Sequence, residues 1–152
     1  MKSFFPRLGG KYRLARKLVP LFPDCDTYCE CFLGAGSCFL LKKPSPVEII
    51  SDNDRDIIDM WEDVRSIKID GVDELTNSRE LFTNYLKTKY TDPTKRFWRN
   101  LFLSKFSYAG NRINYAPCRK KATLTWFKKN LADLKKRLDG VTIMCCDFMK
   151  II

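Results

Sequence analysis

Apolar residues recur at helical spacing in some stretches of the chain and gather into short continuous runs in others. Leu14, Ala15 and Leu18 share one face over residues 11–19, which predicts a helix stopped by Pro20 and Pro23. Residues 27–33, Thr-Tyr-Cys-Glu-Cys-Phe-Leu, read as a short buried strand. The turn Gly34-Ala35-Gly36-Ser37 follows it, and a helix begins at Cys38. Residues 47–51 predict a second strand, ending at Asp52. Ile57, Ile58, Met60 and Trp61 then mark a helix that Asp54 is placed to cap. Helices are expected over 78–90 and 93–110, the latter entered through Asp92-Pro93 and broken by Gly110-Asn111. A basic loop spans 111–121. Leu124, Phe127, Leu131, Leu134 and Leu138 then stripe a helix over 123–138 that Gly140 ends. Residues 141–146 predict a third strand, with Asp147-Phe148 at its end.

Strand, glycine turn, helix and strand in that order make the first half of a nucleotide-binding βαβ unit. The expected fold class is therefore α/β: a partial Rossmann-like sheet of about three strands, interrupted by a helical insert. Residues 1–60 and 139–152 form the α/β part of this scheme, and 61–138 the insert. Ligands of such sheets sit beyond the carboxyl ends of the strands. Gly34 and Gly36 stand where a ligand would approach backbone. Asp52 stands where a carboxylate accepts from a ribose diol. Gly9-Gly10 opens onto the basic first helix and is a second candidate edge for an anion or cofactor.

Charge sharpens the picture. Of 152 residues, 28 are Lys or Arg and 18 are Asp or Glu, for a net charge of +10. Residues 48–80 are acidic, whereas 95–137 hold thirteen bases and one acid, interleaved with aromatics such as Phe97, Trp98, Phe106 and Tyr108. A basic stretch of that length with aromatic faces points to a polyanion, although the interleaving also suits an amphipathic helix core. Histidine is absent, which removes imidazole bases and imidazole metal ligands. The seven cysteines include no Cys-x-x-Cys. A zinc site from Cys25, Cys29, Cys31 and Cys38 matches no common ligand spacing, and reduced thiols in a cytoplasmic protein are the expectation. No apolar run reaches the roughly 18 residues of a membrane span, and the first residues show no signal-peptide pattern.

The residues also carry a resemblance. Phe5-Pro6-Arg7-Leu8-Gly9-Gly10-Lys11 resembles the N-terminal Gly-Gly-Lys motif of the Dam-like, D12-class DNA adenine-N6 methyltransferases. Glu30-Cys31-Phe32-Leu33-Gly34-Ala35-Gly36-Ser37 resembles their Glu-Pro-Phe-x-Gly-x-Gly-Ser turn. Glu48 to Asp52 with Asp56-Ile57-Ile58 resembles their ribose-binding strand end, and Cys146-Asp147-Phe148 their Asp-Phe pair. The run 106–112, Phe-Ser-Tyr-Ala-Gly-Asn-Arg, is similar to their helical target-recognition region. The resemblance implies S-adenosylmethionine as cofactor and double-stranded DNA as partner, with DNA methylation of the restriction–modification kind as the activity. It implies cofactor binding by Arg7, Gly10, Lys11, Phe32, Gly34, Gly36, Asp52, Asp147 and Phe148. Lys11 would lie near the methionine end, and Asp147 and Phe148 near the adenine. It places Lys105, Arg112, Arg119, Lys120 and Lys121 on DNA phosphates. No metal is implied.

Three departures qualify this. Arg7 stands where the family often has an aromatic residue, which removes stacking and leaves a cation for an anion. Cys31 stands where it has proline. The family's catalytic Asp-Pro-Pro-Tyr has no counterpart, since the chain contains no Pro-Pro pair. The expectation is therefore an N-terminal portion with cofactor and DNA parts but no catalytic residues, inactive by itself, and completed by a C-terminal half that carries the motif. An unpaired sheet edge is expected where further strands belong. The alternative is a non-catalytic nucleic-acid-binding module derived from such an enzyme.

Overall fold

A computed structural model describes residues 1–69, 74–117 and 121–151. Helix α1 (Tyr12–Leu18) and a 3-10 turn (Val19–Leu21) lead to strand β1 (Thr27–Glu30). Next come α2 (Ser37–Leu41), β2 (Val47–Asp52) and α3 (Arg55–Val64). The middle of the chain holds β3 (Glu74–Thr76), α4 (Arg79–Lys87), α5 (Pro93–Lys105) and β4 (Lys121–Thr123). Helix α6 (Thr125–Arg137) and β5 (Thr142–Cys145) close the fold.

The three long-range strands form one parallel sheet in the order β1-β2-β5. Helical crossovers make such pairing parallel, because a tight turn cannot. Glu30 pairs with Ile50 and Asp52 with Cys145, so the three carboxyl ends come out on one edge. Central β2 is buried through Ile50 and Ser51, as a strand covered on both faces must be. The outer sides of β1 and β5 pair with no described strand.

Trp61 of α3 is the centre of the core. Its ring meets Phe4 edge-on at 5.1 Å and Phe39 at 6.0 Å, and its indole N–H donates to the Gly34 carbonyl at 3.0 Å. Phe97 of α5 and Phe127 of α6 stack 5.4 Å apart and continue the same cluster. The core therefore runs across the boundary drawn between residues 60 and 61, and α5 and α6 pack on α3. A second cluster of Phe82, Phe102, Leu103, Phe106 and Ala122 belongs to the insert alone.

The insert differs from expectation in two places. Strands β3 and β4 pair antiparallel inside it. Each is three residues long with one apolar side chain, Leu75 or Ala122, too short to show periodicity. The expected helix over 93–110 ends at Lys105, and a 3-10 turn over Tyr108–Gly110 follows with Ala109 at φ 50°. The first strand is also shorter than 27–33, because residues after Glu30 turn away toward Gly34.

The oppositely charged segments of the sequence fold against each other. Arg96 reaches Asp63 at 2.6 Å, Arg99 reaches Asp56 at 3.2 Å, and Arg112 pairs with Asp54. Arg137 pairs with Glu48, which also takes Lys42 Nζ at 2.7 Å. Burial pushes the Glu48 carboxyl up, but the hydrogen bonds from Arg137 and Lys42 outweigh it and hold the group below its usual value. Glu48→Gln strands two buried cations and is expected to lower stability by about 3 kcal/mol at pH 7. Wild-type Glu48 contributes its stabilisation above the ordinary glutamate range and loses it as pH falls through its depressed folded value. Denaturant titrations of both proteins should therefore converge in acid; a gap independent of pH would contradict the assignment.

Candidate functional site

At the carboxyl edge of the sheet lies a cleft of about 270 Å3. Arg7, Gly9, Gly10 and Lys11 line it from the N-terminal loop, Glu30 from the end of β1, Phe32 and Gly34 from the segment after it, and Asp52 and Asn53 from the end of β2. Asp52 organises it. One carboxylate oxygen accepts from the Gly34 N–H at 2.8 Å and the other from the Asp54 N–H at 3.0 Å. The side chain thus ties the glycine turn to the strand end, and each oxygen keeps a second lone pair. Glu30 closes the floor: one of its oxygens accepts from the Tyr28 hydroxyl at 2.8 Å and the Phe39 N–H at 2.9 Å. Burial pushes its carboxyl above the usual range, against the pull of those hydrogen bonds and of Lys11.

The two glycines of the turn do different work. Gly34 has φ +49° and open space where a Cβ would sit, so its backbone faces the cleft freely. Gly36 has φ +63°, and a Cβ there would lie 2.7 Å from Cη2 of Trp61. Gly36 does not line the cleft; it lets the turn close over Trp61. Gly10 completes a tight turn by donating to the Arg7 carbonyl at 2.9 Å.

Arg7 and Arg112 meet at Asp54. Arg7 Nη1 lies 3.0 Å from Asp54 Oδ2, and Arg112 donates to the same oxygen. Gly110 packs so closely on the N-terminal loop that a Cβ would lie 2.7 Å from the Pro6 carbonyl carbon and 2.9 Å from the Arg7 nitrogen. The 106–112 run is therefore docked against the cleft wall. This corrects the surface role expected for Arg112. Its side chain is only 10% exposed and points inward, its φ is +60°, and burial pushes its pKa down. Lys121 is exposed and pairs with Glu74; Lys105 is half-buried at the end of α5. Arg119 and Lys120 lie outside the described residues.

Of the nine expected cofactor residues, Arg7, Gly10, Lys11, Phe32, Gly34 and Asp52 line the cleft together. Phe148 borders it through Phe32, with ring centroids 5.3 Å apart. Asp147 is exposed and accepts from the Met149 N–H at 2.9 Å, capping a short turn. Glu30 and Asn53 line the cleft without having been singled out as binding residues, and Asp54, expected only as a helix cap, also holds Arg7 and Arg112. Glu30 opens the glycine-turn motif, which is the one signal that pointed to it. Among the described residues no cluster of cysteines and carboxylates is placed to hold a metal ion. Cys29 and Cys31 lie 3.6 Å apart, while Cys25 sits beside Ser45. A further recess of about 550 Å3 opens at the opposite end of the sheet, lined by Pro23, Asp26, Lys42 and Pro46 among others. That is the end at which parallel sheets do not bind ligands.

Comparison with protein-family models finds a match to the D12 class N6 adenine-specific DNA methyltransferase over residues 8–152. The chain belongs to that family. No curated protein matches it. The sheet and flanking helices are consistent with a partial Rossmann-like fold of this family, and the cleft lies at its strand ends. No helix among the described residues is long and apolar enough to cross a membrane.

The two glycines should separate by mutation. Gly36→Ala adds left-handed strain to a collision with a buried ring and is expected to cost about 3 kcal/mol. Gly34→Ala should cost about 1 kcal/mol, the strain alone. Thermal or denaturant unfolding of both variants checks this; equal losses would contradict the reading of the turn.

Proposed function

We propose that this chain binds S-adenosylmethionine in the cleft at Asp52 and serves adenine-N6 methylation of DNA. The observation that carries the reading is Asp52, fixed at the end of β2 by the Gly34 and Asp54 N–H groups while it lines the cleft. The lining fits the cofactor. A carboxylate with free lone pairs suits a ribose diol, Lys11 suits the methionine carboxylate, and backbone at Gly10 and Gly34 admits close approach. Phe32, backed by Phe148, offers an aromatic face for the adenine. When bound, the cofactor supplies a methyl group on a sulfonium; the residues of this chain hold and orient it.

The catalytic Asp-Pro-Pro-Tyr is absent from the sequence. We propose that a C-terminal half supplies it and covers the open edge of β1, since an unpaired strand edge is a template for pairing. The second reading is a non-catalytic nucleic-acid-binding module derived from the family, which needs only exposed bases of the insert such as Lys121. On either reading double-stranded DNA meets the basic face, with Lys121 and Lys105 among its contacts.

Isothermal titration with S-adenosylmethionine tests the cofactor assignment. Asp52→Ala removes the acceptor and leaves the Gly34 and Asp54 N–H groups without it, and affinity should fall about 100-fold; unchanged binding contradicts the assignment. DNA affinity measured against salt tests the basic face. Lys121→Ala should reduce the slope by about 0.9, one phosphate contact, because its exposed pair with Glu74 is weak competition. Arg112→Ala should leave the slope unchanged, because Asp54 holds that cation.

A further inference from the structure

The aromatic residues around the basic helices divide into two sets. Phe97, Phe102, Phe106 and Phe127 are buried. Tyr85, Tyr90 and Trp98 stay half-buried and, with Leu75 and Lys95, line a recess of about 480 Å3 between α4, β3 and the start of α5. This recess shares no lining residue with the cleft. The start of α5 meets the last turn of α3 through Arg96 and Asp63, whereas the cleft adjoins the first turn of α3 at Asp54.

The rings are held in place. The buried Arg99 donates to the Tyr85 carbonyl at 2.8 Å. Tyr85 packs edge-on against Phe102 at 5.2 Å and against Tyr90 at 6.2 Å, and Trp98 packs edge-on against Phe97 at 5.5 Å. Three fixed, half-exposed aromatic rings around an open apolar recess suit a planar ligand. The surrounding charge selects its class. Lys95 lines the recess, and Lys87 and Lys89 are exposed in the chain between Tyr85 and Tyr90. The acid of that connection, Asp92, accepts from the Lys95 N–H at 2.8 Å and caps α5. Cations at the rim exclude a quaternary ammonium guest, which aromatic cages otherwise favour. They suit a ring that carries a phosphate. Paired bases are enclosed in their duplex and present no free face.

We propose that this recess stacks one unpaired nucleobase of a bound nucleic-acid strand, with Lys95 against the adjoining phosphate. This extends the nucleic-acid part of the proposed function and does not involve the cofactor.

Fluorescence anisotropy of the full chain with a labelled twelve-residue thymidine strand and an abasic strand of equal length tests it. The base-bearing strand should bind about tenfold tighter, as stacking of a base on aromatic side chains provides. Tyr90→Ala should abolish that preference, Tyr90→Phe should retain it, and Lys95→Gln should weaken both strands. Equal wild-type affinity for the two strands overturns the proposal without recourse to any variant, as does a preference that survives Tyr90→Ala. Competition by thymidine monophosphate at the strand's own affinity overturns it too, in favour of a free nucleotide. A blunt duplex that binds while the base preference is missing leaves the DNA reading standing and removes this one.

Discussion

Helix α3 and its cap Asp54 carry a row of carboxylates, Asp54, Asp56, Asp59 and Asp63, and guanidinium groups tie three other parts of the molecule to it. Arg96 and Arg99 bring in α5, Arg112 brings in the 106–112 run, and Arg7 brings in the N-terminal loop. Several of these groups are almost wholly enclosed, Arg99 at 7% and Asp63 at 2% exposure. Enclosed charges of this kind stabilise little on balance. Loss of one partner, however, leaves the other buried and uncompensated, so the seam enforces one arrangement of the elements. Behind it, the apolar packing of Trp61 with Phe4, Phe97 and Phe127 supplies the cohesion.

The seam also sets the site. Asp54 caps α3, holds Arg7 and Arg112, and donates its own N–H to Asp52. Asp52 in turn holds Gly34. A single stretch of three residues therefore connects the cleft, the N-terminal loop and the docked run from the insert. The sheet contributes the register that brings Glu30 and Asp52 to one edge. The glycine turn contributes a backbone that bends sharply over an indole ring.

Much of this was legible in the chain. Glycines after a short apolar run, and an acid after the next one, located the cleft because backbone geometry and strand direction leave few alternatives. Asp54 as a cap and Asp92-Pro93 as a helix start rest on local hydrogen bonding, which sequence reports well. Charge was read less faithfully. The surplus of bases over residues 95–137 suggests an open cationic face, yet Arg96, Arg99, Arg112 and Arg137 are spent on acids distant in sequence. Linear composition carries no information on such long-range pairing. Gly36 looked like a ligand-facing glycine, and only the position of Trp61 shows what it accommodates. Strands β3 and β4 are too short and too polar to leave a pattern.

The central claim is that the cleft between Arg7–Lys11, Gly34 and Asp52–Asp54 is where the methyl donor binds. Amide hydrogen exchange of the whole chain, with and without S-adenosylmethionine, tests it most directly. The account predicts slower exchange at residues 7–11, at 34 and at 52–54, where backbone N–H groups line the cleft or brace Asp52. Protection confined to the recess at 23–26 and 42–46, or none at all under saturating cofactor, would contradict it.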